Sequence, residues 1–406
     1  MTPTPGAVFD ELVGQEPVVE QLRLAVAAAS GSPAPSVPSD PSAPPARSAA
    51  LAMTHAWLFT GPPGSGRSVA ARAFAAALLC ANQGCGQCPS CRQVAVGSHA
   101  DLLLVRPDGL SYGVRQTRDL VLRAAAAPVY GRWRVVLFED ADRATEQAAN
   151  ALLKAIEEPA PRTVWLLCAP FADDLPTTIR SRCRLVTLRT PPTAAVAELL
   201  VRDGIGEEQA LAAARAAQGH IGRARRLATD PAAAARRAEV LKVPAQVSSL
   251  GHALAAAADL VKAAEAEAAA VTEELDLPER DALRKAFGEG STGKGVATAV
   301  RGAAGALREL EDRQKSRATR LKRDSLDRAL LDLASFYRDV LAVQLGAGVE
   351  LANAAQRDEL NQVAVTSPPA TTVRRIEAIM KCRERLAANV APLLAVEEMT
   401  LALAAR

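Results

Sequence analysis

Eight residues, Gly61-Pro62-Pro63-Gly64-Ser65-Gly66-Arg67-Ser68, have the makeup of a loop that wraps an anion. Glycines at 61, 64 and 66 free the backbone to aim its amides at a phosphate, the following helix adds the partial positive charge of its amino terminus, and Ser68 offers a hydroxyl to a metal ion. The pattern G-x-x-x-x-G-K-[ST] asks for lysine where Arg67 stands, and a guanidinium is a planar fork, not a compact ammonium. The bland alternative is a tight strand-to-helix turn without a ligand. Cys80, Cys85, Cys88 and Cys91 form a second constellation. Four sulfurs suit a closed tetrahedral zinc site, structural because no position is left for water, with a redox pair as the competing reading. A third group is acidic: Val135-Val-Leu-Phe-Glu139-Asp140-Ala-Asp142 ends an apolar run on carboxylates that suit magnesium and water beside a phosphate loop. Its plain alternative is a solvated acidic strand end.

Such groups can act together only if elements carry them to one place. The apolar run 56–60 reads as a buried strand entering the loop, and 69–79 as the helix leaving it. Strand-like segments 101–105, 133–138 and 164–168 alternate with helical ones to about Thr190, which predicts a parallel sheet covered by helices over residues 1–190, with a further helix at 18–29. After Pro191-Pro192 the pattern turns helical, at 193–201, 207–217 and 219–228, and predicts a small three-helix domain over 191–231. From 232 to 406, long Ala/Leu segments with charges at helical intervals predict a larger all-helical domain. Residues 30–50 are proline, serine and alanine with almost no large apolar side chain, so a flexible insertion is expected there. Gly288-Glu-Gly-Ser-Thr-Gly293-Lys294-Gly295 imitates a phosphate loop. It lacks the terminal hydroxyl and follows a helical segment where a strand is needed, so it reads as an interhelix loop.

Composition narrows the classes further. The 406 residues carry a net charge of only +3, so nucleic acid or membrane contact would need a local patch. The basic run 313–323 has no interleaved aromatics and reads better as a solvated helix face or interhelix loop than as a DNA patch. No apolar run reaches the ~18 residues of a membrane span, and no basic-then-apolar signal opens the chain, so a cytoplasmic protein without membrane contact is expected. Cys168, Cys183 and Cys382 are scattered and read as ordinary small residues. His55, His99, His220 and His252 share no spacing and support no catalytic assignment.

Five motifs occur in one order: Phe9-Asp-Glu-Leu-Val-Gly-Gln15, the loop 61–68, the four cysteines after its helix, Asn150-Ala-Leu-Leu-Lys-Ala-Ile-Glu-Glu-Pro159, and Ile179-Arg-Ser-Arg-Cys183. In this the chain resembles the AAA+ proteins of the bacterial DNA polymerase III clamp loader over roughly residues 8–228. The resemblance implies an α/β AAA+ P-loop domain, a helical lid and an all-helical collar that joins a five-membered ring with gamma/tau and delta subunits. It also implies ATP-driven loading of a sliding clamp onto primed DNA. Gamma/tau subunits of this family bind and hydrolyse ATP; delta-prime subunits typically have a degraded site, and three departures resemble the latter. Arg67 replaces the loop lysine. Glu139 and Asp140 invert the Walker B order, leaving Asp140 one methylene, roughly 1.5 Å, short of the water-orienting glutamate. Ala169 and Pro170 stand where motor subunits carry sensor 1 threonines. Arg223, in Gly219-His-Ile-Gly-Arg223, resembles the sensor 2 cation that would face any ATP or ADP. Ser181-Arg182-Cys183 is intact, and the resemblance makes Arg182 an arginine finger acting in a neighbour's ATP site. The alternative is an active motor subunit in which Arg67 stands in for lysine.

Overall fold

The computed structural model describes residues 4–31, 53–107, 109–286 and 296–405, so nearly all of the 30–50 insertion and the whole of the stretch 288–295 lie outside the described residues. The chain divides into two compact units, Met1–Pro107 with Ser111–Arg225, and Asp108–Leu110 with Arg226–Arg406.

In the first unit five parallel strands, β1 (Ala56–Thr60), β2 (Leu102–Val105), β3 (Arg134–Phe138), β4 (Thr163–Ala169) and β5 (Arg184–Thr187), form one sheet in the order β2-β3-β4-β1-β5. Strands β1, β3 and β4 are buried at every residue. That is why they read as continuous apolar runs: both faces of a parallel sheet are covered. One face, with Trp57, Phe59, Val135, Leu137 and Leu166, packs on Leu22 and Val26 of α1 (Glu16–Ser30), Phe74 of α2 (Arg67–Leu79) and Val94 of α3 (Pro89–Val96). Alternate residues Leu58, Val136, Phe138, Trp165 and Leu167 face α4 (Val114–Ala124), α5 (Glu146–Glu157) and α6 (Thr177–Arg180). Buried alanines at 70, 71, 73 and 75–77 let α2 lie close to the sheet, with Phe74 edge-on to Trp57 at 4.9 Å between centroids. Three further helices follow: α7 (Thr193–Arg202), α8 (Glu207–Ala217) and α9 (Ile221–Thr229), the last of which runs into the second unit.

Because all five strands run the same way, their carboxyl ends share one edge. The loop after β1, Ala169-Pro170 at the end of β4, Glu139 after β3 and Arg106 after β2 therefore line up along that edge in sheet order. Ligands of such sheets bind at this edge, where the strand order reverses.

The second unit is helical: α10 (Pro231–Gln246), α11 (Leu250–Ala286), α12 (Val296–Gln344), α13 (Arg357–Thr366), α14 (Pro369–Ala387) and α15 (Pro392–Ala404). Leu326, Leu330, Leu333, Tyr337 and Val340 form a helical-interval stripe on α12, packed with Leu260 of α11, Ile379 and Leu386 of α14, and Met399 and Leu403 of α15. The basic run 313–323 lies on α12, and much of its charge is used within the unit. Arg317 donates to Asp276 at 2.6 Å and Glu279 at 2.8 Å, Lys322 pairs with Glu265, and Arg323 donates to Asn389 at 2.7 Å. The helix-face reading thus describes it better than a DNA patch. Among the described residues no helix is long and apolar enough to cross a membrane.

Candidate functional site

The loop after β1 adopts backbone angles that only glycine holds without strain. Gly61 has φ 145°, Gly64 88° and Gly66 91°. A Cβ at Gly61 would come within 2.5 Å of the Leu188 carbonyl oxygen, and one at Gly64 within 2.5 Å of His220 Cβ. The segment carrying His220 is therefore seated on the loop itself. Arg67, the first residue of α2, does not extend outward: its Nη1 donates to the Gly61 carbonyl. The only cation in the loop is thus engaged by the loop's own backbone. Ser68 is hydrogen bonded to buried Cys168. Ser65 is buried, and its hydroxyl oxygen has no partner among the described residues.

A cavity of about 280 Å³ opens here, lined by Gly64 to Val69 together with Glu11, Leu12, Val13, Gln15, His220, Ile221, Gly222 and Arg225. It lies just under the ~300–1,000 Å³ usual for small-molecule sites. Gly61, Pro62, Pro63, Glu139, Asp140 and Arg223 are not among its lining residues. Arg225, beside Arg223 in sequence, lines the cavity and is paired with Asp203 at 2.8 Å, while the Arg223 amide donates to His220 Nδ1 at 3.2 Å. Burial and then the charges of Arg223 and Arg67 push the His220 pKa down, so a neutral imidazole faces the loop at pH 7. Buried Gln15 closes the rim, donating to the Arg189 carbonyl at 2.6 Å and accepting from its amide at 3.1 Å.

At the end of β3 the acidic residues meet cations of the chain itself. Glu139 is held by Arg72 Nη2 at 3.0 Å and by Arg106 Nε at 2.9 Å. A metal ion at Glu139 would have to compete with both guanidiniums. Asp140 sits in the left-handed region at φ 49° with Arg143 Nε 3.9 Å away. Burial and then the Asp140 charge push the Asp142 carboxyl up, and its Oδ1 has no partner among the described residues. Ala169 is buried and has no hydroxyl, and Pro170 contributes only its carbonyl, which accepts from the Gly61 amide at 3.0 Å. Sequence reasoning missed Arg72, Arg106 and His220. Arg72 is legible as lying four residues beyond Ser68 on one helix face, whereas Arg106 reaches Glu139 only because Val105 is in register with Phe138.

The four cysteines come together where α2 ends and α3 begins. Their sulfurs lie within 4.8 Å of one another, with Cys80 Sγ 3.7 Å from that of Cys85 and 3.6 Å from that of Cys88. Four sulfurs at ~2.3 Å from a tetrahedral metal are ~3.8 Å apart, so this donor set fits a metal ion. The Gln87 backbone hydrogen bond, working against burial, holds the Cys85 thiol down at about 7, towards the thiolate a metal needs. Amides of Asn82 and Cys91 donate to Cys80 at 3.3 Å and to Cys88 at 3.4 Å. Gly84, with φ 88°, carries the turn; a Cβ there would lie 2.5 Å from Val8 Cγ2. The amino-terminal segment thus packs against the cluster. Cys168 and Cys382 are buried and Cys183 half-buried, with burial raising all three thiols.

Arg182 follows α6 on the surface, its side chain 38% exposed. Its Nη1 donates to the Thr178 carbonyl at 2.8 Å and to Ser181 Oγ at 3.2 Å, and its Nη2 pairs with Glu157, the last residue of α5.

Residues 47–192 match the family described as DNA polymerase III, delta subunit. A Pseudomonas aeruginosa DNA polymerase III subunit delta' is 40% identical over 36% of this chain and 47% of its own length. The Bacillus subtilis subunit delta' is 30% identical over 47% of this chain and 59% of its own length, and the Mycobacterium tuberculosis subunit gamma/tau 34% identical over 48% and 31%. The chain thus spans about half the length of the first of these relatives and less than two thirds of the others. A Thermotoga maritima gamma subunit-related structure superposes with TM-score 0.39 at 16% identity, covering 86% of this chain and 93% of that one. In the ordered motifs and in these alignments, the chain resembles the delta-prime subunit of the bacterial DNA polymerase III clamp loader, an AAA+ relative of gamma/tau.

Proposed function

We propose that this chain is the delta-prime stator of a clamp loader, a subunit that completes a neighbour's ATP site without running one of its own. The observation that carries this reading is the state of its own phosphate loop: Arg67 turned onto Gly61, His220 seated on Gly64, and Glu139 held between Arg72 and Arg106. Losses at several parts that serve one transition state compound. ATP or ADP would have to open that arrangement to enter. Zinc is the metal that four thiolates in a closed set best suit, and its role is to hold the turn on which the amino-terminal segment packs. The three short helices act as the lid and the second unit as the collar, joining gamma/tau and delta subunits in a five-membered ring. That ring loads the sliding clamp onto primed DNA in the cytoplasm. Surface exposure next to an intact Ser181-Arg182-Cys183 supports Arg182 as an arginine finger for the adjoining subunit.

Reconstitution with gamma/tau and delta tests the reading. The isolated chain should show no turnover; Arg182→Ala should leave assembly intact and lower hydrolysis at the adjoining site by roughly a thousandfold. Robust hydrolysis by the isolated chain would favour the active-motor reading, for which the Ser65 hydroxyl, beside the cavity and without a partner among the described residues, speaks.

A further inference from the structure

We infer that Glu157 is a positioning residue for Arg182: it holds the guanidinium parked on its own subunit, and a neighbour's nucleotide must win the arginine away from it. The inference rests on the finger reading above. Glu157 pairs with Nη2, while both protons of Nη1 are taken by the Thr178 carbonyl and Ser181 Oγ. The edge formed by Nη1 and Nη2 is thus engaged within the chain, and a phosphate gripping the guanidinium by that edge must displace one of these contacts. A carboxylate and a phosphate also carry the same sign of charge. Held side by side on one guanidinium they repel, so the two partners compete for it.

The position of Glu157 supports a role beyond helix stability. It is the final residue of α5, followed by Glu158, and carboxylates at a helix carboxyl end oppose the partial negative charge there. Lys154, in the last turn, is the cation that suits this end, whereas Glu157 does not. The pair is also open to exchange: the Glu157 side chain is 43% exposed and that of Arg182 38%. Contacts this accessible can be traded for a stronger partner without unfolding anything. A pair with such exposure restrains the finger by a factor of about two to five, the range for exposed ion pairs.

The test is a double-mutant cycle in the reconstituted assembly. The rate owed to the Arg182 site is the difference in kcat/KM for ATP between wild-type and Arg182→Ala assemblies. Glu157→Gln keeps the shape and an acceptor oxygen and removes the charge. It should raise that difference about two- to fivefold and be silent in the Arg182→Ala background, with assembly unchanged. A change of equal size in both backgrounds would mean that Glu157 acts on the fold, and no change in either would mean that it restrains nothing; each overturns the inference. If Arg182→Ala itself leaves hydrolysis unaltered, the finger reading falls and takes this inference with it. Loss of the Glu157→Gln effect alone would leave the finger standing.

Discussion

Replacing Glu267 with glutamine should weaken the second unit at neutral pH and leave it little changed in acid. Three arginines converge on this carboxylate: Arg226, Arg328 at 3.1 Å and Arg236 at 3.6 Å, and Ser325 donates to its other oxygen. Burial pushes the carboxyl up, but the Ser325 hydrogen bond and the Arg328 and Arg226 charges outweigh it and hold the pKa at about 2 instead of 4.5. That gap is about 2.5 powers of ten, at ~1.36 kcal/mol each a ceiling of about 3.4 kcal/mol. The arginine side chains are more than a third exposed, and solvent screening brings the expected loss in Glu267→Gln to about 1–2 kcal/mol. Since folding lowers the pKa, the stabilisation is complete above the unfolded value near 4.5 and disappears as pH falls towards 2. At pH 3 less than about half should remain. Urea unfolding of the full chain at pH 7 and pH 3, followed by far-ultraviolet circular dichroism, reads the helical second unit. The three tryptophans, Trp57, Trp133 and Trp165, all lie in the first unit, so their fluorescence gives a control that should move less. A gap below about 0.3 kcal/mol at pH 7, or one equally large at pH 3, would refute the electrostatic account.

Two other perturbations address the first unit. Asp101 is fully buried and accepts from the amides of Val129, Tyr130 and Gly131 at 2.5, 2.9 and 2.7 Å; burial raises its pKa, but these bonds outweigh it and hold the carboxyl low. Asp101→Asn turns a donor towards donors and should cost about 1–3 kcal/mol, read as faster amide exchange at 129–131; unchanged exchange would rule out the bracing role. Protein purified without chelator should hold one zinc per chain, and Cys88→Ser should lose it and lower the thermal midpoint by several degrees. Metal-free wild-type protein would exclude the zinc assignment.

The sheet was legible before folding because its signals are local. Apolar runs at 56–60, 133–138 and 164–168 mark strands buried on both faces, and glycines at 61, 64 and 66 mark a backbone that must turn sharply. Helices at 193–201 and 207–217 were legible from periodicity within a residue of their observed ends. The cysteine cluster was legible for a similar reason: four thiols spread over twelve residues cannot be carried far apart. Arg67, Glu139 and Arg182 could likewise be picked out one by one from residue type and spacing.

The states of Glu139 and Arg182 could not, because each depends on a partner brought in by the fold. Arg72 and Arg106 reach Glu139 from 67 and 33 residues away, through the packing of α2 on the sheet and the register of β2 with β3. His220 meets Gly64 because the chain returns to the loop after α7 and α8, and no spacing of histidines could announce that. The sequence alone established a phosphate-loop sheet, a four-thiol turn and a surface arginine, since propensity and periodicity act over a few residues. Whether each charge faces a ligand or another residue of its own chain was decided by tertiary packing, which sets distances between groups far apart in sequence. That packing put Arg72 and Arg106 on Glu139 and Glu157 against Arg182.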